Sequence, residues 1–315
     1  MLLFILRRLG IGVALAWIVL TLIFLAIHAI PGDPAEILAS GSGTTAADPA
    51  AVARIREQLG LDQPLWDQYV AFLQGAAVGD FGTSFRQRAP VSELIAFRLP
   101  NSLELMVGAA VVSVPLGIWL GSVAARRGRW VDSLIAGATG FGIAIPGYVL
   151  GTFLIVIFAT QLRLLPSGGY VSWSDPGAHL ARLVLPVSVL SVLLTSTVAR
   201  ITRATVLETS HSDWIRTARS WGLAETPVFR RHVVRNSLGP VTSVVAIELG
   251  ALIGSSVVIE QVFTWPGVGT LLVQGVSDRD YPIVIGVVTV ISVMFILINI
   301  AVDILQGVLD PRARR

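Results

Sequence analysis

Apolar runs long enough to cross a bilayer recur six times along the chain, at about 9–30, 102–125, 133–161, 183–200, 238–259 and 282–304. A helix rising 1.5 Å per residue needs roughly 20 such residues to span the hydrocarbon core. The pattern therefore predicts an all-α integral membrane protein with six transmembrane helices. The third run is interrupted by Gly140, Gly142, Pro146 and Gly147, which predicts a kink or a close helix contact there. The fourth is short and ends in arginines. A cleaved leader is the alternative reading of residues 1–30. Its apolar core is too long and no clear small-x-small site follows, so a retained first span is expected.

Two polar stretches interrupt this pattern. Residues 31–99 carry Asp33, Glu36, Asp48, Glu57, Asp62, Asp67, Asp80 and Glu93. Gly41 to Thr45 reads as a flexible turn. Helical patterns run from Ala50 to Leu59 and from Leu65 to Leu73, with Leu65, Tyr69, Phe72 and Leu73 on one face. This predicts a small extracytoplasmic domain over 31–99, between a first helix in 1–30 and a five-helix core in 100–311. The second stretch, 200–237, holds seven arginines between two apolar runs. Within it Ser212 is placed to cap a short helix and Asp213 favours its N-terminus. Trp214, Ala218 and Trp221 fall near one face, Arg216, Arg219 and Ser220 point elsewhere, and Gly222 can end the turn. A short amphipathic helix of this kind suits a groove on a partner; a helix resting on the lipid interface is the alternative.

Composition sharpens this picture. The chain has 315 residues, 54% hydrophobic and only 14% charged, with mean hydropathy +0.75. Soluble domains carry about 25% charged residues. Without cysteine there are no disulfides, thiolate metal ligands or cysteine nucleophiles. All 23 basic residues are arginine. A P-loop needs a lysine to reach the phosphates, so ATP hydrolysis must come from another subunit. Arg7, Arg8, Arg126, Arg127, Arg129, the seven arginines of 200–237, Arg312, Arg314 and Arg315 fall on one side of the predicted topology. Only Arg163, Arg182 and Arg279 occupy short loops on the other. The positive-inside rule then places both termini in the cytoplasm. This distribution accounts for the pI near 9.9 without a nucleic-acid partner.

Several motifs now support a family. Pro31-Gly32-Asp33-Pro34, Leu59-Gly60-Leu61-Asp62-Gln63-Pro64-Leu65 with Gln68-Tyr69, Gly79-Asp80-Phe81-Gly82-Thr83-Ser84-Phe85 and Leu99-Pro100-Asn101-Ser102-Leu103-Glu104-Leu105 occur in that order. Val262-Phe263-Thr264-Trp265-Pro266-Gly267-Val268-Gly269, then Arg279-Asp280-Tyr281-Pro282, and the ending Val302-Asp303 with Leu309-Asp310-Pro311-Arg312 follow. Their order and spacing resemble the dipeptide/oligopeptide/nickel ABC-importer permeases of bacterial inner membranes over nearly the whole chain. The resemblance implies a type I ABC importer fold. It also implies a second homologous permease subunit, two ATP-binding subunits that hold ATP and Mg, and an extracytoplasmic substrate-binding protein, with membrane lipid around the spans and no cofactor in this chain. The coupling helix that docks the ATPase maps to Asp213, Trp214, Ile215, Arg216, Thr217, Ala218, Arg219, Trp221, Gly222 and Leu223. The chain departs from the family's general EAA-type pattern at Arg216-Thr217-Ala218, at Trp221 and near Arg235.

Acidic residues within spans cost about 2.5–3.5 kcal/mol at the bilayer centre, so they face protein or water. Glu248 lies mid-span, where path lining and an interhelical hydrogen bond are both open readings. For Glu104 and Asp303, near span ends, a structural bond is expected. Glu260, with Trp265, Pro266 and Gly267, is a candidate for the outer gate, or else a solvated helix end. His28, His179, His211 and His232 show no metal-ligand spacing. The expected function is a permease subunit that forms half of a path for di- or oligopeptides, with no catalytic residue. Nickel, glutathione or another small solute is the alternative cargo. A proton-coupled secondary transporter using Glu248 and Asp303 is the rival class, and it lacks the inverted repeat such proteins carry.

Overall fold

The computed structural model describes residues 2–29, 49–58 and 62–309. The motif Pro31–Pro34, the predicted turn Gly41–Thr45, residues 59–61 and the terminal arginines lie outside these. The described elements are helical: α1 Leu2–Ala29, α2 Pro49–Gln58, α3 Leu65–Val78, α4 Val91–Arg126, α5 Arg129–Ala144, α6 Gly147–Leu154, α7 Pro176–Ser210, α8 Asp213–Ser220, α9 Arg235–Val262, α10 Val268–Ser277 and α11 Tyr281–Leu309. Two π-helical stretches extend them, Ile155–Gln161 after α6 and Val228–Val234 before α9.

Five helices are long and apolar enough to cross a membrane, and α5 with α6 makes a sixth if the pair counts as one span. That pair is bent by 102°. The break falls at Ile145, which is extended at φ −82°, ψ 124°, just before Pro146. A residue preceding proline is pushed out of the helical region, so the predicted kink has its cause in Pro146. Helices α4 and α7 run well beyond the apolar stretches that predicted them, with 36 and 35 residues. The extra turns of α7 start at Asp175, whose carboxylate accepts from the Ala178 amide at 3.0 Å, with Pro176 opening the helix. Hydropathy finds where a helix is greasy; caps decide where it stops.

The chain divides into two compact units. One comprises Met1–Arg8, Asn101–Pro266 and Ile298–Arg315. Its centre is α7, with buried positions recurring from His179 to Val206, and it packs against α9, α5 and α6. Helix α4 approaches α7 through glycines. A Cβ on Gly117 would sit 2.7 Å from the Val198 side chain, and one on Gly121 would sit 2.5 Å from the Ala199 carbonyl oxygen. This is the close backbone approach that a G-x-x-x-G spacing permits between helices.

The other unit comprises Leu9–Pro100 and Gly267–Leu297. The end of the segment expected as a small extracytoplasmic domain packs with a later segment: Val91 and Ile95 of α4 share a core with Val268, Leu271, Ile283 and Val287. Helix α3 lies on α1, where the Tyr69 hydroxyl is 2.7 Å from Thr21 Oγ1 and Phe24 stacks near Tyr69 and Phe72. Leu65, expected on the same face, is exposed.

Candidate functional site

Helix α8 forms where the sequence places it, with one difference in the cap. Ser212 has the extended backbone of an N-cap, but its hydroxyl donates backward to Thr209 O at 2.6 Å and caps no amide. Gly222 adopts φ +77°, the left-handed conformation that ends helices, and its amide donates to Arg219 O at 3.0 Å. One residue anchors α8 to its own chain. Ile215 is 0% exposed and packs with Val206, Val228 and Val233, joined by Ala125 and Phe229. Trp214 and Trp221 do not share that packed face; they are 46% and 78% exposed. Arg216 lies near Asp213 at 3.5 Å and Arg219 near Glu225 at 3.6 Å, both on the open surface where such pairs contribute about 0–1 kcal/mol. The start of α9 is tied back to the end of α7 by buried Ser237, whose hydroxyl is 2.8 Å from Val233 O and 3.0 Å from Thr209 Oγ1. Isolated serines carry no sequence signal for such a role.

The path candidates separate. Glu260 is 0% exposed and accepts from Ser102 Oγ at 2.6 Å, so it is no solvated helix end. Trp265 is fully buried, its indole N–H donating to Asn101 O at 3.0 Å, while the Asn101 amide donates to Pro266 O at 2.9 Å. Glu260 and Trp265 thus join the end of α9 to α4. Gly267, extended, occupies the N-cap position of α10. Glu248 is half-buried on α9 and meets the Thr197 side chain of α7. A mainly apolar cavity of about 190 Å³ lies at the α5–α6 break, lined in part by Gly142, Tyr148 and Val189.

Three other acidic residues, Glu104, Asp303 and Asp280, have structural partners. Glu104 Oε1 is 2.8 Å from His179 Nε2, and His179 Nδ1 is 2.6 Å from Val171 O. The ring is enclosed by Trp173, Tyr170 and Trp265. Asp303 pairs with Arg8 at 2.7 Å. In the other unit Asp280 is buried and accepts from Ser84 Oγ at 2.6 Å and from the Arg86 amide at 3.1 Å. The segments Gly79–Phe85 and Arg279–Pro282 therefore meet, as do Leu99–Leu105 and Val262–Gly269. No group of three or more His, Asp or Glu residues that could hold a metal ion occurs among the described residues.

Comparison with known proteins agrees along the whole length. Residues 113–315 match the family of binding-protein-dependent transport system inner membrane components, and residues 1–106 match that system's N-terminal membrane-component family. The glutathione transport system permease protein GsiC of Escherichia coli (strain K12) is 38% identical over 315 residues, covering 100% of this chain and 99% of that protein. The Salmonella typhimurium protein of the same name is 39% identical over the same length. The fold resembles that of the inward-facing MetNI methionine ABC transporter, with TM-score 0.54 and 18% identity over 69% of this chain and 96% of that one. It also resembles an amino acid ABC transporter crystallised with histidines, with TM-score 0.50 and 16% identity over 70% and 94% of the two chains. ATP-hydrolysing and substrate-binding proteins are the partners that such importers work with. The chain belongs to the binding-protein-dependent transport system inner membrane components, as a multi-pass permease subunit of an ABC importer.

Proposed function

We propose that this subunit forms half of an import path for small peptides, with glutathione the first cargo to test, and that α8 is its coupling helix. A second homologous permease completes the path. Two ATP-binding subunits hold ATP and Mg and receive α8, and both termini of this chain face them in the cytoplasm. The cargo reading is supported by the peptide-type motifs and by the glutathione permeases to which the whole chain is 38–39% identical; glutathione is itself a tripeptide.

The observation that carries the coupling reading is the division of labour on α8. Ile215 roots the helix in the subunit, and Trp214 and Trp221 are left outward. Large aromatics exposed on a helix with a rigid root suit insertion into a protein groove, where a tryptophan commonly contributes ~2 kcal/mol or more. Motion of the groove then passes through Ile215 into Val206 of α7 and Val233 before α9. Substitution tests this. In the reconstituted importer, Gly222→Pro should separate ATP hydrolysis from uptake or prevent assembly, and Trp214→Ala should do so more mildly. Normal uptake of labelled glutathione or dipeptide by both variants, at normal membrane abundance and ATPase rate, would falsify the assignment.

A further inference from the structure

We propose that the groove along the last three turns of α4 is a binding site for an anionic phospholipid. The groove has a volume of about 620 Å³. Its head end is cationic: Arg126 and Arg127 from α4, and Arg230 from the π-helical stretch after α8. No carboxylate lines it, and none of these arginines has an ion-pair partner among the described residues. Arg126 is held in place by a 3.0 Å bond to Thr226 Oγ1 and by the Phe229 ring 5.1 Å beneath its guanidinium. Guanidinium groups free of ion pairs, one of them held in place, suit a phosphodiester.

The rest of the groove decides between a lipid and a free anion. From Arg126 the wall continues along one side of α4 through Ser122, Trp119, Ile118 and Pro115. The eleven residue steps from Pro115 to Arg126 span about 17 Å of helix. A phosphate ion needs only the arginine end; a glycerophospholipid also presents ester oxygens and acyl chains. Ser122, next along the stripe, lines the groove, and its hydroxyl is buried with no hydrogen-bond partner. Beyond it Trp119 is largely exposed, as aromatics at a membrane interface are. Basic pockets between membrane helices are suited to acidic headgroups. Because Phe229 also packs on the cluster around Ile215, a lipid here would brace the root of α8. Its place in the cytoplasmic leaflet rests on the orientation proposed above; binding itself does not.

The test uses the complete importer in nanodiscs of phosphatidylcholine with phosphatidylglycerol, followed by native mass spectrometry of retained lipid. Arg127→Gln with Arg230→Gln should lower phosphatidylglycerol retention roughly tenfold to thirtyfold, as two interfacial charges imply. Loss of two exposed arginines elsewhere, Arg163→Gln with Arg279→Gln, should not. Trp119→Ala keeps every charge and should lower retention severalfold, which keeps the test open if the double variant assembles poorly. Equal retention by wild type and both groove variants overturns the proposal. So does displacement by inorganic phosphate with no effect of Trp119→Ala, which marks a free-anion site. No retained lipid in the complete importer, with the groove covered by a partner chain, also overturns it. Labelling of a cysteine at Ala224 from either side of the membrane reports the leaflet separately.

Discussion

Individual residues in this subunit act mostly by closing the structure on itself. Asp303 illustrates how much the neighbours matter. As a span-end acid it stood as half of a proton relay in the rival class, yet it pairs with Arg8 at 2.7 Å in a partly exposed setting. Such a pair contributes about 0–1 kcal/mol. Asp303→Asn should therefore leave ATP-driven uptake within about twofold of normal, whereas loss of a proton relay would abolish transport. Gly168 is the opposite case, an unremarked residue with a strict requirement. A Cβ there would lie 2.2 Å from the Phe263 carbonyl oxygen, against backbone rather than a flexible side chain. Gly168→Ala should cost about 1–3 kcal/mol as an overpacked site, read as a lowered thermal midpoint of the purified importer. An unchanged midpoint would show that the Phe263 turn can yield.

At the scale of elements, the interplay of α4, α7 and α8 sets what can move. Gly117 and Gly121 let α4 rest closely against Val198, Ala199 and Thr202 of α7. Gly121→Leu should separate the two helices and reduce the yield of folded permease. Trp119→Ala, two residues away on the outward side, should leave yield intact. Equal yields from both would mean that the α4–α7 contact is dispensable. The helical periods and the terminating Gly222 make α8 legible from sequence alone. Which of its residues faces inward is not, because Ile215, Ala218 and both tryptophans are all apolar. Only the cluster of Val206, Val228 and Val233 selects Ile215.

For the whole molecule, orientation is the open geometric property, and α7 offers a direct measure. Ser174 precedes it and Ala224 follows α8; both are exposed. In this cysteine-free chain, Ser174→Cys should react with an impermeant thiol reagent on spheroplasts, and Ala224→Cys only after the membrane is opened. The reverse pattern would overturn the arginine-based topology. The division into two units also shows why a linear reading of domains falls short: Val91 and Ile283 belong to one core although nearly two hundred residues separate them in sequence.

The sequence by itself determined the class of this protein. Six apolar runs, an arginine bias, the absence of lysine and an ordered set of short motifs are local or additive properties, so they survive without coordinates. It also determined where α8 ends, because a terminating glycine such as Gly222 acts within one turn. The tertiary structure alone decided what the buried polar residues do. Whether Glu260 is a solvated helix end or the acceptor of Ser102, whether Glu104 is alone or against His179, and whether Asp280 is a surface turn or the acceptor of Ser84 depend on chain segments many residues apart. A carboxylate inside a membrane protein must find a partner, and only the fold says which one.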